Sequence, residues 1–142
     1  MNWKRFLWAS LAVLVVRNGL DYLIDTFILM RDYEKLNLLR PDVTSMVWLM
    51  FDVGVLVAFM FTYIFVKGRE GKGIWEGVRF GIVIWLFVTV PIRLGAWMYL
   101  PIPIALVVKW ILNGLLLNLI SGILVAAIYK PAVRPSPSQG SG

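Results

Sequence analysis

The chain contains no cysteine and no histidine among its 142 residues, and only 15% of its residues are charged. Without cysteine there are no disulfides, iron–sulfur clusters or thiol nucleophiles, and without histidine the commonest metal ligand and proton shuttle is missing. A soluble globular domain carries about 25% charged residues, whereas 60% of the residues here are hydrophobic. The composition therefore predicts a non-enzymatic integral membrane protein with no metal ion and no cofactor.

Four apolar stretches are each long enough for the roughly 20 residues that a membrane-spanning helix needs. They cover residues 6–30, 43–66, 80–100 and 103–129. The last two meet at Pro101 and Pro103, which lack amide donors and predict a tight hairpin between antiparallel helices. We therefore expect an all-α fold, in which residues 1–130 form one four-helix transmembrane bundle with an up-down-up-down arrangement.

The two ends of the chain need separate interpretation. Lys4 and Arg5 precede an apolar run, as in a signal peptide, but no small-residue cleavage site follows, so we interpret this run as a retained anchor. Residues 131–142 are rich in Pro, Ser and Gly and have no apolar period, which predicts a disordered cytoplasmic tail. Residues 138–142 are also consistent with an added linker.

Basic residues between the spans predict the orientation of the chain. If the chain crosses the membrane four times, its two ends and the loop between the second and third stretches lie on the same side. The basic residues on that side are Lys4, Arg5, Lys67, Arg69, Lys72, Arg79, Lys130 and Arg134. Because such residues accumulate on the cytoplasmic side, both termini should be cytoplasmic. The net charge of +6 is then explained by orientation and by contact with anionic lipid of the bilayer, so we expect no nucleic-acid binding.

Six charged residues interrupt the apolar stretches, where a charge near the bilayer centre opposes insertion by about 2.5–3.5 kcal/mol. They are Arg17, Asp21, Asp25, Asp52, Arg93 and Lys109. With a rise of about 1.5 Å per residue, four of these side chains lie about 8–12 Å from the outer end, so all four helices contribute to one layer. That layer comprises Asp25, Asp52, Arg93 and Lys109, with Asp21, Asn113 and Arg17 deeper.

The balance of three positive and three negative charges supports two hypotheses. In the first, the charges form a polar pocket, open toward the outer side, that binds or passes a small polar or ionic solute, because membrane charges usually face a cavity or pathway. In the second, the chain is an accessory or scaffold subunit of a membrane complex, and the charges only fix the helix register. The sequence leaves both open, with a homo-oligomer or another membrane protein as candidate partners.

Two further features concern helix packing. One face of the fourth stretch carries small and polar residues that favour close helix contact, either within the bundle or with a partner. These residues are Gly114, Asn118, Ser121 and Gly122, and a GxxxG pattern at Gly77 and Gly81 accompanies them in the third stretch. Pro91 predicts a kink, because it leaves the carbonyl group of Phe87 without its usual donor.

The inner loop from Lys67 to Gly73 resembles a phosphate-binding loop but lacks its spacing and its Ser or Thr, so we interpret it as a basic connector on anionic lipid. Residues 63–81 carry the pattern Lys-Gly-x-x-Gly-Lys-Gly-x-x-Glu-Gly-x-Arg-x-Gly. This pattern resembles that of a family of small uncharacterised bacterial inner-membrane proteins, and the likeness extends through the Pro101–Pro103 hairpin to residues 128–131. The resemblance implies four helices in a bacterial inner membrane, and it implies no activity, cofactor or functional residue.

Overall fold

The computed structural model describes residues 2–129, and every regular element in that part of the chain is helical. The four helices are α1 (Trp3–Lys35), α2 (Val43–Gly68), α3 (Ile74–Tyr99) and α4 (Ile104–Ile128). Each is long and apolar enough to cross a membrane, which confirms the predicted class of four helices in an all-α bundle. The predicted tail of residues 131–142 lies outside the described residues.

Three of the helices extend beyond the apolar stretches that predicted them, α2 by two residues and α1 and α3 by more. α1 continues to Lys35, and α3 already begins at Ile74. At the start of α1, the Asn2 side chain caps the helix by accepting from the Arg5 backbone N–H at 3.2 Å. Glu76, in the first turn of α3, accepts from backbone N–H groups of the preceding loop. Polar side chains at the N-terminal ends of both helices thus satisfy backbone N–H groups, within the first turn of α1 and in the loop before α3.

The helices pack in the spatial order α2, α1, α4 and α3. α1 and α4 lie in the middle, with α2 against α1 and α3 against α4. α2 and α3 meet through aromatic rings, since Phe80 lies edge-on against Phe61 and Phe65 with centroids 4.8 and 5.3 Å apart. This aromatic group belongs to the hydrophobic core, which also includes the fully buried Val13 and Val125.

Glycines bring α3 and α4 into backbone contact. A Cβ atom on Gly77 would overlap the carbonyl group of Gly122, and one on Gly81 would lie 2.5 Å from the carbonyl oxygen of Asn118. Contacts that pair Gly77 with Gly122 and Gly81 with Asn118 mean that the two helices run antiparallel. The GxxxG pattern of α3 and the small face of α4 therefore pack against each other within one chain.

Pro91 follows a π-helical turn, Trp85–Thr89, which interrupts α3. At the end of this turn the Val90 N–H donates to the carbonyl oxygen of Trp85, five residues back. A π turn shifts the hydrogen-bond ladder by one residue, so α3 has adjusted locally where the proline supplies no donor. The structure thus places a π turn at the position of the expected kink. A second π turn, Asp25–Leu29, interrupts α1 and begins at Asp25, one of the predicted charged residues.

Candidate functional site

Arg17 extends from α1 to the small, polar face of α4. Its Nη1 atom donates to Oδ1 of Asn118 at 3.2 Å and to Oγ of Ser121 at 3.5 Å. Nδ2 of Asn118 in turn donates to Oγ1 of Thr89 at 3.2 Å and to the carbonyl oxygen of Gly114 at 2.7 Å. Neutral acceptors therefore solvate the Arg17 charge and connect α1, α3 and α4 in one hydrogen-bonded group.

Asp21 lies one turn from Arg17 on α1 and contacts α4 through a different residue. Nδ2 of Asn113 donates to Oδ1 of Asp21 at 3.1 Å. Although the spacing of four permits an ion pair, Arg17 and Asp21 interact only at longer range in the described part of the chain. Oδ1 of Asn113 is buried without a hydrogen-bond partner among residues 2–129, which leaves one unsatisfied acceptor beside Asp21.

A cleft of about 380 Å³ lies between α1 and α2 beside these groups. Its polar wall is formed by Arg17, Asn18 and Asp21 of α1. Its apolar wall is formed by five residues of α2, Leu49, Met50, Val53, Gly54 and Val57. A Cβ atom on Gly54 would lie 2.6 Å from Nδ2 of Asn18, so the Asn18 side chain occupies the space that a larger residue at position 54 would need. The cleft offers a cation, a carboxylate and an amide opposite an apolar surface.

An ion pair connects the C-terminal end of α1 to α4. Nζ of Lys109 lies 2.6 Å from Oδ2 of Asp32. The Lys109 side chain is 46% exposed and that of Asp32 is 27% exposed, so this pair is partly open to its surroundings. Lys109 thus pairs with Asp32, which lies beyond the predicted apolar stretch and outside the predicted layer.

Asp25 and Arg93 approach the same pair of aromatic residues. The Tyr33 hydroxyl accepts a hydrogen bond from Nε1 of Trp110 at 2.8 Å and interacts with the Asp25 carboxylate. The guanidinium carbon of Arg93 lies 5.0 Å from the centre of the Trp110 ring, a cation–π distance. Arg93 and Asp25 also interact electrostatically. Three helices therefore contribute to this aromatic and charged group.

Asp52 lies apart from every other residue of the predicted layer. It is exposed on α2 and has no hydrogen-bond or ion-pair partner among the described residues. The buried residues of α2 are Ala58, Phe61, Thr62 and Phe65. At 3.6 residues per turn, Asp52 points about 130° away from the centre of that buried face. Of the predicted layer, the residues of α1, α3 and α4 therefore make contacts between helices, whereas the α2 residue faces outward.

The remaining predicted residues are interior. Gly114, Asn118, Ser121 and Gly122 are all buried against α1 and α3, so this face of α4 packs inside the chain. Sequence reasoning missed Asn18, Asp32, Tyr33 and Trp110, which line the cleft or make the contacts described above. For Asp32 a signal existed: the face defined by Arg17, Asp21 and Asp25 continues to it if the helix does not end at residue 30.

Within residues 2–129, no group of three acidic side chains is placed to hold a metal ion. No known protein family, curated protein or solved structure matches this chain.

Proposed function

We propose that the chain is a small, non-enzymatic, multi-pass protein of a bacterial inner membrane, with an up-down-up-down arrangement and both termini in the cytoplasm. Four helices of sufficient length and apolar character support the spanning arrangement. The orientation is supported by Lys67, Arg69 and Lys72 in the loop between α2 and α3, because basic loops stay on the cytoplasmic side. The bacterial location rests on the family resemblance of residues 63–81.

Within this membrane protein, the cleft between α1 and α2 binds or passes a small polar or ionic solute. The observation that carries this proposal is that Arg17, Asn18 and Asp21 line an open cleft of about 380 Å³. A purely structural charge network would gain most from a dry, fully paired interior. Here the acidic and basic groups lie one helical turn apart without an ion pair, and they face a cleft large enough for a small molecule.

Thermal unfolding of the purified protein in detergent tests this proposal. Probe solutes would include zwitterionic amino acids, small ammonium cations and small carboxylates. A ligand present at 100 times its Kd adds about 2.7 kcal/mol to the free energy of unfolding, so binding should raise the melting temperature. We expect at least one class to do so in the parent protein, and Asp21→Asn to lose the effect.

Glu34→Gln is the matched control, because Glu34 is an exposed acidic residue of α1 outside the cleft. It should retain the solute-dependent shift. A shift of equal size in Asp21→Asn and the parent, or no shift with any class of solute, would contradict the proposed site.

The alternative function, an accessory or scaffold subunit, has one specific observation in its favour. Asp52 is an exposed carboxylate within a span, and its neighbour Phe51 is exposed as well. A charge at such a position is unfavourable against lipid, and a polar or basic group on another transmembrane helix would relieve it. This alternative places the partner on the outward face of α2, away from the cleft.

A further inference from the structure

A second pocket lies at the other end of the bundle, where α2 ends and α4 ends. Its volume is about 340 Å³, and it is lined by Val66, Lys67, Arg69 and Tyr129. None of these residues belongs to the cleft between α1 and α2. The pocket therefore needs its own explanation, which is independent of the proposed solute site.

Arg69 is held in place by Tyr129. Its Nη1 atom donates to the Tyr129 carbonyl oxygen at 3.0 Å, and its guanidinium carbon lies 5.0 Å from the centre of the Tyr129 ring. Tyr129 is itself buried, and its hydroxyl accepts from the Asn2 backbone N–H at 2.9 Å. One hydrogen bond uses only part of the guanidinium fork, so Arg69 presents further N–H donors in a fixed direction.

The carboxylates of the adjoining loop are occupied elsewhere. Glu70 forms an ion pair with Lys72, and the hydrogen bond and charge from Lys72 hold the pKa of the Glu70 carboxyl below its ordinary value. The Glu76 carboxylate accepts from the backbone N–H groups of Glu70, Gly71 and Lys72. Neither acid therefore neutralises the two cations that line the pocket.

Lys67 and Arg69 form no ion pair within the described range of residues 2–129. Nζ of Lys67 lies 5.7 Å from the centre of the Tyr63 ring, and Arg69 makes the contacts to Tyr129 described above. The pocket thus combines two cations with aromatic and aliphatic surface. Guanidinium and ammonium groups arranged in this way bind phosphate oxygens through charge-assisted hydrogen bonds.

We propose that this pocket binds the phosphate group of an anionic phospholipid. Exposed apolar residues at the same end of the bundle favour a lipid over free phosphate: Ile74 and Trp75 are 52% and 76% exposed, and Tyr63 is 42% exposed. Trp and Tyr occupy the level of the headgroups in membranes. A lipid would place its phosphate against Lys67 and Arg69 and its glycerol and acyl carbons along Val66 and the exposed residues, whereas inorganic phosphate would use the cations alone.

Titration of the detergent-purified protein with lipid, followed by native mass spectrometry, tests this assignment. The probes are phosphatidylglycerol, phosphatidylcholine and inorganic phosphate, and the variants are Lys67→Gln, Arg69→Gln and the double variant. A basic residue near an anionic lipid contributes about 1 kcal/mol, which is about fivefold in Kd. We expect each single variant to bind phosphatidylglycerol about fivefold more weakly and the double variant about 25-fold more weakly.

Arg40→Gln is the matched control, since Arg40 is an exposed arginine in the loop between α1 and α2 and already pairs with Asp42. It should bind phosphatidylglycerol like the parent. Lys67→Gln keeps the test valid if Arg69→Gln fails to fold, because Lys67 makes no hydrogen bond within residues 2–129. Equal affinity in the parent and the double variant, an equal loss in Arg40→Gln, or equal occupancy by inorganic phosphate would each overturn the assignment to an anionic lipid.

Discussion

Gly77 of α3 and Gly122 of α4 lie in direct backbone contact, and a Cβ atom on either residue would overlap the carbonyl group of the other. Gly77→Ala should therefore push the two helices apart. Overpacking of this kind destabilises by about 1–3 kcal/mol, against a gain of up to about 1 kcal/mol from replacing glycine in a helix. We expect a net loss in the free energy of unfolding, measured by denaturant titration in detergent.

Gly95→Ala provides the control on the same helix, because a Cβ atom at Gly95 meets no other atom within 4 Å. Only the helix-propensity term applies there, so stability should be unchanged or increase by up to about 1 kcal/mol. If Gly77→Ala is as stable as Gly95→Ala, the backbone contact between α3 and α4 does not form as described.

These glycines also show how far the sequence predicts the fold. The length and apolar character of the four stretches predict four helices, and the small residues of α4 predict a close contact. The contacts of the charged residues are harder to predict. Counting residues gives the height of a side chain along its helix but not the side on which neighbouring helices pack. Asp52 faces outward, whereas Lys109 pairs with Asp32, beyond the predicted end of the first span.

A double-mutant cycle on Lys109 and Asp32 should give a small coupling energy. The two side chains form a 2.6 Å ion pair, but both are partly exposed. Exposed pairs typically contribute about 0.2–1 kcal/mol, so we expect Lys109→Met and Asp32→Asn to be coupled by an amount in that range. Unfolding of the parent, both single variants and the double variant provides the measurement, and strictly additive effects would show that the pair contributes nothing.

Glu76→Gln should release the loop between α2 and α3. The Glu76 carboxylate accepts from three consecutive backbone N–H groups, those of Glu70, Gly71 and Lys72. Hydrogen bonds to a charged group contribute about 1.5–3 kcal/mol each. The glutamine side chain has one acceptor oxygen in place of two, and this neutral oxygen is the weaker acceptor. Hydrogen exchange of these three amides should become at least about tenfold faster, while amides in the middle of α4 stay protected. Unchanged exchange in the loop would contradict this role for Glu76.

The Glu70–Lys72 ion pair predicts a pH dependence. Lys72 lowers the pKa of the Glu70 carboxyl in the folded protein, so the unfolded chain binds this proton more readily than the folded one. The pair therefore stabilises the folded state above the ordinary glutamate pKa, and this contribution disappears as the pH falls through the lowered value. In Lys72→Gln, carbon NMR of the Glu70 carboxyl should show a titration closer to its ordinary value. An unchanged Glu70 titration in this variant would contradict the role given to Lys72.

Asp52→Leu separates the two proposed functions. Asp52 faces outward from α2 and does not line the cleft, so its replacement should leave any solute-dependent thermal shift intact. In an isolated chain the change removes an unpaired charge from a span, which should increase stability by up to about 3 kcal/mol. If a second membrane protein or a second copy covers this face, Asp52→Leu should instead abolish that association, measured by size-exclusion chromatography with light scattering in mild detergent. A variant that is less stable than the parent as a monomer would show that Asp52 has an internal partner and would remove the main support for the scaffold function.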